Sequence, residues 1–355
     1  MTDRTVLDLS YDDLVAFLEP LAVTAFRARQ IWHALYHDLA TSYDGITTLP
    51  TPLRAKLAEQ LPFPALIQAN RSTSRDRRTT KQLFRLQDDQ TIETVQMEYA
   101  TRRTVCISTQ IGCAIGCPLC ATGKGGFIRN LAVGEIVAQV LEAARAFRSQ
   151  GRPLTHVVYM GMGEPFLNYD ATLASLRILN DHNGFNLGAR SFVVSTSGVV
   201  PAIDRFAHEE IQANLAVSLH AATDALRDRL VPINRRYPLK SLMNACQSYV
   251  DATHRRVTFE IALIDGVNDS REHAREVASL LRGMLCHVNL IPLNPVAGSP
   301  WQPTPRDQLD LWVDVLSNAR IPVTVRVSRG SEIQAGCGQL RARRQTAKGS
   351  RRKRP

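Results

Sequence analysis

The stretch Cys113-Ala-Ile-Gly-Cys117-Pro-Leu-Cys120 places three cysteines close together, and it decides how the rest of the chain is interpreted. A structural zinc site needs four ligands, usually supplied as two pairs, and no second Cys or His pair follows at the expected distance. Three thiolates suit a [4Fe-4S] cluster better, because they hold three irons and leave the fourth open to a small molecule. The alternative is a group of buried or redox-sensing thiols that binds no metal.

The composition is that of a folded globular protein. The chain has 355 residues, 44% of them hydrophobic, which is enough for one large domain and a smaller one. The sequence contains no run of about 18 apolar residues and its first residues do not resemble a signal peptide, so we expect no membrane partner. Seven cysteines, an odd number, favour reduced thiols in the cytoplasm over a disulfide framework.

Positive charge is concentrated in two segments. Residues 341–355 carry eight Lys or Arg residues and no acid, which accounts for most of the net charge of +10. This tail is predicted to be disordered and to add non-specific affinity for nucleic acid, with a purely solubilising role as the alternative. Residues 71–81 carry five Lys or Arg residues against the single acid Asp76. Two basic segments on either side of a cofactor domain predict an anionic polymer as substrate.

The apolar pattern changes twice along the chain. Helical spacing predicts short helices over residues 11–18, 25–39 and 52–60. Alternation over residues 82–86 and 91–97, around Asp88-Asp89, predicts a β-hairpin. From about Thr104, short apolar runs alternate with helical segments, which predicts about six βα units of a parallel sheet or barrel. The six runs cover residues 105–107, 156–160, 191–194, 214–219, 257–261 and 288–291.

Small, polar or turn-forming residues follow several of these runs. In parallel α/β folds, ligands bind at the carboxyl ends of the strands, so such residues predict one ligand-binding rim. Taken singly, each segment is also typical of an ordinary turn. The cysteine triplet follows the first strand, and the later segments are Gly161-Met-Gly163-Glu164-Pro165, Ser195-Thr-Ser-Gly198, Ser218-Leu219-His220 and Pro292-Leu-Asn294-Pro295.

Six motifs occur in a fixed order: Cys-x3-Cys-x2-Cys, Met-Gly-Met-Gly-Glu-Pro, Ser-Thr-Ser-Gly, Ser-Leu-His-Ala, Asn-Leu-Ile-Pro-x-Asn-Pro and Ala-Gly-Cys-Gly-Gln-Leu. In this combination the chain resembles the RlmN/Cfr family of radical S-adenosylmethionine (SAM) RNA (adenine) methyltransferases, most of all the RlmN branch. The resemblance covers residues from about 91 to 340, and the helical N-terminus also has the family's form. It implies an α/β fold, a partial (βα)6 radical SAM barrel with a small helical N-terminal domain. Leu119 departs from the pattern, because an aromatic residue usually stands there.

The resemblance implies a set of cofactor ligands. Cys113, Cys117 and Cys120 would ligate a [4Fe-4S] cluster. Gly163 and Glu164 would hold the amino group of SAM, a cation that a carboxylate suits. A charge at a helix start is the alternative role for Glu164, and a hydrogen-bonded strand-end histidine is the alternative role for His220. The remaining SAM contacts implied are Ser195, Ser218, Leu219, His220 and Asn294.

Two further cysteines carry the chemistry that the resemblance implies. The C2 carbon of adenine is electrophilic, so a polar methyl transfer is disfavoured and the cofactor supplies radical chemistry. Cys337 would accept a methyl group from one SAM, and a second SAM would generate the radical that joins this group to RNA. Cys106 would then form a transient disulfide with Cys337 and release the product, with Glu93 as proton acceptor. Cys246 and Cys286 are predicted to be core thiols.

The resemblance also implies the substrates and the division of the chain. Residues 1–70 would be a helical RNA-binding domain, 71–103 a basic linker and hairpin, 104–340 the catalytic domain, and 341–355 the tail. The implied substrates are an adenosine of 23S rRNA at the peptidyl transferase centre and the adenosine 3′ of the anticodon in some tRNAs. A monomer with a reductant such as flavodoxin is expected. The alternatives are C8 methylation of the same rRNA adenosine and a non-catalytic Fe–S RNA-binding protein.

Overall fold

The fold is built on a ten-stranded sheet, described by a computed structural model that covers residues 4–326 and 329–341. In chain order, the strands are β1 Ile67–Thr73, β2 Thr79–Arg85, β3 Thr91–Glu98, β4 Arg103–Cys106, β5 Gln110–Gly112, β6 Phe127–Asn130, β7 His156–Tyr159, β8 Phe192–Thr196, β9 Asn214–Ser218, β10 Val257–Leu263, β11 Cys286–Pro292 and β12 Val323–Val325. Residues 342–355 of the predicted disordered tail lie outside the described residues.

Helices precede the sheet and connect its parallel strands. They are α1 Tyr11–Leu18, α2 Ala25–Tyr36, α3 Thr51–Gln60, α4 Ala121–Lys124, α5 Val133–Arg148, α6 Tyr169–Asn180, α7 Val200–Ala207, α8 Asp224–Leu230, α9 Leu239–Thr253, α10 Arg271–Leu280 and α11 Arg306–Asn318. The helix α1 begins where Ser10 accepts a hydrogen bond from the Asp13 N–H at 3.1 Å and the Asp13 carboxylate accepts one from the Ser10 N–H at 3.2 Å. Such reciprocal capping fixes a helix start. In the described part of the chain, no helix is long and apolar enough to cross a membrane.

The strand order is β1-β2-β3-β4-β7-β8-β9-β10-β11-β12. The first four strands pair antiparallel, whereas every pair from β4 to β12 is parallel. Each of the six predicted parallel strands is present, and six helical connections join them and β12. The predicted partial barrel is therefore confirmed. It is open, because β1 and β12 lie at opposite ends of the strand order.

Two strands of the ten-stranded sheet were not predicted, for different reasons, and neither were β5 and β6, which form a separate two-stranded sheet. The sequence of β1, Ile67 to Thr73, is polar and mostly exposed, so it shows no buried face and forms by pairing with β2. Its pairing means that residues 71–81, predicted to be a linker, form the end of β1, a turn and the start of β2. The strand β12 has only three residues and follows Pro322, which left no periodicity to recognise.

The N-terminal helices share the hydrophobic core of the barrel. Trp32 of α2 is fully buried and belongs to the same apolar cluster as Val157 of β7 and Trp312 of α11. A polar contact adds to this packing, because the Asp8 carboxylate accepts a hydrogen bond from the Gly134 N–H at the start of α5, at 2.6 Å. The helical region is thus anchored on the first βα connection of the barrel.

The end of β7 lies unusually close to the end of β4. The Gly161 N–H donates to the Ile107 carbonyl at 2.9 Å, and a Cβ atom on Gly161 would come within 2.5 Å of that carbonyl oxygen. Glycine is therefore required by the close approach of two backbones, at the point where the candidate site begins.

We predict that Gly161→Ala destabilises the protein by about 1–3 kcal/mol, because the added methyl group must push β4 and β7 apart. The matched control is Gly188→Ala, where a Cβ meets nothing within 4 Å and the backbone φ is negative. This control should leave the melting temperature unchanged or raise it slightly. Equal melting temperatures for the two variants would contradict the prediction.

Candidate active site

The carboxyl ends of the parallel strands open on one cavity. Eleven of the thirteen residues predicted to act in a site line it, whereas Glu93 and Leu219 do not. The eleven are Cys106, Cys113, Cys117, Cys120, Gly163, Glu164, Ser195, Ser218, His220, Asn294 and Cys337. Residues distant in sequence thus meet at the edge of the sheet where α/β folds place their ligands.

The cysteine triplet lies on a loop that is closed at its base by β5 and β6. The Cys113 N–H donates to the Gly126 carbonyl across this hairpin at 2.9 Å, and the Cys120 N–H donates to the Cys117 carbonyl at 3.1 Å. Burial raises the pKa of Cys113 to about 12 and the pKa of Cys117 well above its usual value. Both thiols are therefore protonated until a metal displaces the proton.

The three thiols are spaced more widely than the ligands of a single ion. A single tetrahedral ion, with metal–sulfur bonds of about 2.3 Å, needs sulfur atoms about 4 Å apart. Within the described residues, the three cysteine sulfurs do not all lie within 4.8 Å of one another. This wider arrangement fits a multi-iron cluster better than one ion.

An apolar wall stands beside the cysteine loop. Cys117 and Leu119 pack against the cluster of buried side chains that includes Val231, Ile264 and Leu293. Leu119, which departs from the aromatic residue usual at its position, therefore still provides an apolar side chain on this wall. A dry shell of this kind limits solvent access to a metal centre.

Glu164, at the end of β7, is a buried carboxylate, 4% exposed. Its Oε2 accepts hydrogen bonds from the Ser197 N–H at 2.8 Å and the Ser197 hydroxyl at 2.7 Å. Its Oε1 accepts from the Phe166 N–H at 3.2 Å, so the alternative role at a helix start is also present. Burial raises the pKa of Glu164, and the hydrogen bonds from Ser197 oppose that rise. A cationic group of a ligand bound in the cavity would neutralise the charge of this carboxylate.

Gln110 and Gly163 fix the backbone around Glu164. The Gln110 side-chain oxygen accepts from the Glu164 N–H at 2.8 Å. Gly163 has a φ of 100°, and a Cβ there would lie 2.6 Å from the Cβ of Gln110. Ser197 and Gln110 were not identified from the sequence, although Ser197 stands inside the Ser-Thr-Ser-Gly motif.

His220 is a neutral hydrogen-bond donor to the cavity. Burial lowers its pKa to about 3, and its Nδ1 accepts a hydrogen bond from the Ala262 N–H at 3.0 Å. In a neutral imidazole the other nitrogen then carries the hydrogen, so Nε2–H is the donor that remains for a ligand. Leu219 differs, because its side chain lies fully buried in the core and only its backbone belongs to the rim.

Cys106 and Cys337 both line the cavity and lie near enough to interact electrostatically. Cys106 ends β4 and packs in an apolar cluster with Ala335 and Leu340, which flank Cys337 in sequence. Burial raises the pKa of Cys106 to about 12, and a charge on Cys337 would raise it further. The Cys337 thiol is exposed within the cavity, where the surrounding protein still desolvates it and raises its pKa. All seven cysteines of the chain are free thiols.

The loop around Cys337 is held from two sides of the cavity. The Ala121 N–H donates to the Gly338 carbonyl at 2.7 Å, which ties the loop to α4 beside the cysteine triplet. From the end of β11, the Asn294 side chain donates to the Cys337 carbonyl at 3.2 Å. The Gln339 side chain donates in turn to the Pro295 carbonyl at 2.8 Å. The thiol therefore has a fixed position relative to the cysteine triplet.

Glu260 and Arg326 are two charged residues of the cavity that were not predicted from the sequence. Glu260 is 6% exposed; its Oε1 accepts from the Asn289 side chain at 2.9 Å, and its Oε2 has no partner among the described residues. Arg326 follows β12, and its charge opposes the rise in the pKa values of Cys106 and Cys337. The sequence does contain a signal for both, because each is a charged residue within an otherwise apolar stretch. Glu260 stands in Val-Thr-Phe-Glu-Ile, and Arg326 stands in Val-Thr-Val-Arg-Val.

Glu93 lies outside the cavity, buried in β3 at 2% exposure. Its carboxylate forms an ion pair with Lys81 at 3.2 Å and accepts from the Arg341 N–H at 3.0 Å. Lys81 also donates to the Gln334 carbonyl at 3.1 Å, so the pair connects the β2–β3 hairpin to the segment before Cys337. Its role as proton acceptor stays a prediction. Cys246 and Cys286 lie in the hydrophobic core.

Arg227, fully buried in α8, joins the ends of two strands at the rim. Its guanidinium donates to the carbonyl groups of Ser197 at 2.7 Å, Ser218 at 3.0 Å and Leu219 at 3.1 Å. A fourth bond goes to the Asn234 side chain at 2.8 Å. Burial lowers the pKa of Arg227 to about 10, which leaves the group charged at neutral pH.

Comparisons with known proteins agree with this arrangement. Residues 107–278 match the model of the radical SAM superfamily, and residues 5–62 match that of the ribosomal RNA large subunit methyltransferase N-terminal domain. A probable dual-specificity RNA methyltransferase RlmN of Chloroflexus aurantiacus is 46% identical, over 97% of this chain and 94% of its own. The corresponding protein of Bacillus pumilus is 48% identical over 90% and 88%. The crystal structure of a radical SAM methyltransferase from Sphaerobacter thermophilus superposes with a TM-score of 0.94 at 53% identity, covering 95% of this chain and 99% of the other.

We predict that Arg227→Met lowers the free energy of unfolding by about 3 kcal/mol, because it removes the donors to four buried acceptors. Arg227→Lys should recover little of this loss, since one ammonium group does not reproduce the planar fork. Arg229→Met, which changes an exposed arginine of the same helix, is the control and should be nearly neutral. Urea unfolding measures all three. A midpoint of Arg227→Met equal to that of the control would show that the network contributes no stability.

Proposed function

Since the chain belongs to the RlmN family of radical SAM RNA methyltransferases, we propose that it methylates C2 of adenosine in 23S rRNA and in some tRNAs. The rRNA target would be the adenosine at the peptidyl transferase centre, and the tRNA target the adenosine 3′ of the anticodon. The observation that carries this proposal is the presence of Cys106 and Cys337 in the same cavity as the cysteine triplet. A cavity that only bound a cluster would need neither thiol.

The donor set of the cavity fits the cofactors of this family. Cys113, Cys117 and Cys120 would hold a [4Fe-4S] cluster, and Glu164 with Gly163 would receive the ammonium group of SAM. His220 would donate from Nε2, and Ser195, Ser218 and Asn294 would supply further polar contacts. Leu219 would contribute only backbone groups. When bound, the cluster and two SAM molecules per turnover would supply the methyl group and the radical chemistry.

The residues of the chain would carry the methyl group and release the product. The Sγ of Cys337 would lose its proton and take the methyl group. The radical chemistry supplied by the second SAM would remove one hydrogen atom from this methyl group, and its carbon would then bond to C2 of the adenine, with one electron passing from the adduct to the cluster. Glu93 would accept the proton from C2. Because it lies outside the cavity, this role requires its carboxylate to leave the ion pair with Lys81 and the hydrogen bond from the Arg341 N–H. The Cys106 thiol would then lose its proton and its Sγ would bond to the Sγ of Cys337, while the bond between Cys337 and the carbon breaks. The electron pair stays on the carbon, which takes a proton to complete the methyl group.

The proposal also covers the reductant, the oligomeric state, the cellular location and the roles of the segments of the chain. A reductant such as flavodoxin would supply electrons, including those that reopen the disulfide between Cys106 and Cys337. The enzyme would act as a monomer in the cytoplasm. Residues 1–70 would form an RNA-binding accessory domain, residues 71–103 a basic connection and hairpin, and residues 104–340 the catalytic domain. The match of residues 5–62 to a methyltransferase N-terminal domain supports the first of these assignments.

Nucleoside analysis tests the proposed product. We expect 2-methyladenosine in 23S rRNA and tRNA from cells that contain the protein, and its loss when the gene is deleted. Complementation with the parent should restore the nucleoside, whereas Cys337→Ala should not, because no thiol accepts the methyl group. The measurement is liquid chromatography with mass spectrometry against standards. The appearance of 8-methyladenosine instead would move the reaction to C8, and no change in either RNA would refute the proposal.

Variants that lack one of the two thiols are expected to stop at different steps of the reaction. Cys106→Ala should accept the methyl group and add it to RNA, but it lacks the attack that releases the product. We predict that this variant accumulates covalently bound RNA, seen as a nuclease-sensitive shift on denaturing gels. Cys337→Ala should show no such shift, and Cys246→Ala, which alters a core thiol, should show the parent's turnover and no adduct. Adduct on Cys337→Ala but not on Cys106→Ala would reverse the two roles.

A further inference from the structure

Four exposed arginines surround a concave surface beside the β1–β2 turn. Arg71, Arg75, Arg77 and Arg78 line it, and in the part of the chain that the structure describes their guanidinium groups have no ion pair or hydrogen bond. Other arginines of the surface are neutralised by acids, as where Arg129 pairs with Asp88 and Glu135, each at 2.7 Å. Four unneutralised cations around one concavity form a site for an anion with several charges.

The turn that carries these arginines is held rigidly. The Asp76 carboxylate accepts from the Ser74 hydroxyl at 2.6 Å and from the Arg78 N–H at 3.0 Å, and these bonds lower the pKa of Asp76. Arg77 has a φ of 58°, which the turn requires. Asp76 is therefore engaged in the turn itself, and Glu98, the acid that lines the same concavity, is engaged in an ion pair with Arg152. A preorganised surface binds with less loss of side-chain and backbone freedom.

A second basic concavity connects this surface to the active-site cavity. Arg78 lines both concavities, and Tyr99 lines both the second one and the active-site cavity. Two cations lie close to the Tyr99 ring, with Arg102 at 4.3 Å and Arg329 at 4.8 Å from its centroid. Arg329 also lines the active-site cavity. The arginines therefore continue from the β1–β2 turn to the mouth of the cavity.

We propose that this basic surface, defined as Arg71, Arg75, Arg77, Arg78, Arg102 and Arg329, binds the phosphate backbone of the substrate RNA next to the nucleotide that enters the cavity. The inference rests on the proposed function and assigns the RNA contact to the sheet extension β1–β3. An adenine reaches an enclosed cavity only after it leaves its stack, so the flanking phosphates must be held outside. Guanidinium groups suit phosphate oxygens, and such contacts position the strand without selecting its sequence.

The test uses a triple variant of the full-length, cluster-loaded enzyme, Arg75→Gln, Arg77→Gln and Arg78→Gln. Its control is Arg271→Gln, Arg275→Gln and Arg282→Gln, which removes the same charge from exposed arginines at and beyond α10, on the far part of the sheet. The probe is a tRNA transcript, with its dissociation constant measured between 50 and 300 mM salt. We expect about tenfold or greater weakening at 100 mM salt for the first variant, and a salt slope reduced by about 2. The control should retain the parent's affinity and slope.

Two further readouts separate this inference from the proposed function. The triple variant should still acquire a methyl group on Cys337 in the absence of RNA, measured by intact mass, because none of its changes touches the cavity. Product formed at high RNA concentration should carry the methyl group at the parent's position. Unchanged affinity and slope, an equal loss in the control, or a changed target adenosine would each overturn the inference. If the parent enzyme binds the transcript but methylates no RNA, the proposed function is refuted. The role of the basic surface can still be tested, because it is measured by RNA affinity alone.

Discussion

The carbonyl groups at the carboxyl ends of parallel strands have no further strand to bond with, and Arg227 supplies donors to those at the ends of β8 and β9. The same edge must also carry Ser197, which orders the Glu164 carboxylate, and His220, which begins the next connection. A charged group inside the protein is costly unless its donors are used, and here all three guanidinium nitrogens donate, in four hydrogen bonds. The geometry of the cofactor rim therefore depends on this one buried cation.

Desolvation is the second constraint, and it acts on several buried ionisable groups of the cavity. It keeps His220 neutral, raises the pKa values of Glu164 and Glu260, and keeps the thiols of Cys106 and Cys337 protonated. Arg326 is the cation that works against this effect near the two thiols. A cavity with these properties lets a thiol become reactive when a bound partner changes the local charge, and keeps it inert otherwise.

The sequence predicted the parts of the fold whose signal is local. Apolar runs identified the six parallel strands, and the cysteine spacing identified the loop between β5 and β6. It did not identify β1, whose polar residues are held by pairing alone, or Glu260 and Arg326, which meet the thiols only when distant strands assemble. The prediction of Leu219 as a SAM contact has a related cause. Adjacent residues at a strand end point to opposite faces, so Ser218 and His220 reach the cavity while the side chain between them enters the core.

The contacts that hold the Cys337 loop also set an order of events during folding. The Lys81–Gln334 bond spans 253 residues of sequence, the Thr122–Leu340 bond spans 218, and the Glu93–Arg341 bond spans 248. Contacts between such distant residues form late, because the entropy of closing the intervening chain must be offset by structure already present. We expect the barrel and its cysteine loop to assemble first, with the cavity open on one side. The wall that carries the methyl-accepting thiol is then the last to close, so a newly made chain acquires its reactive centre only at the end of folding.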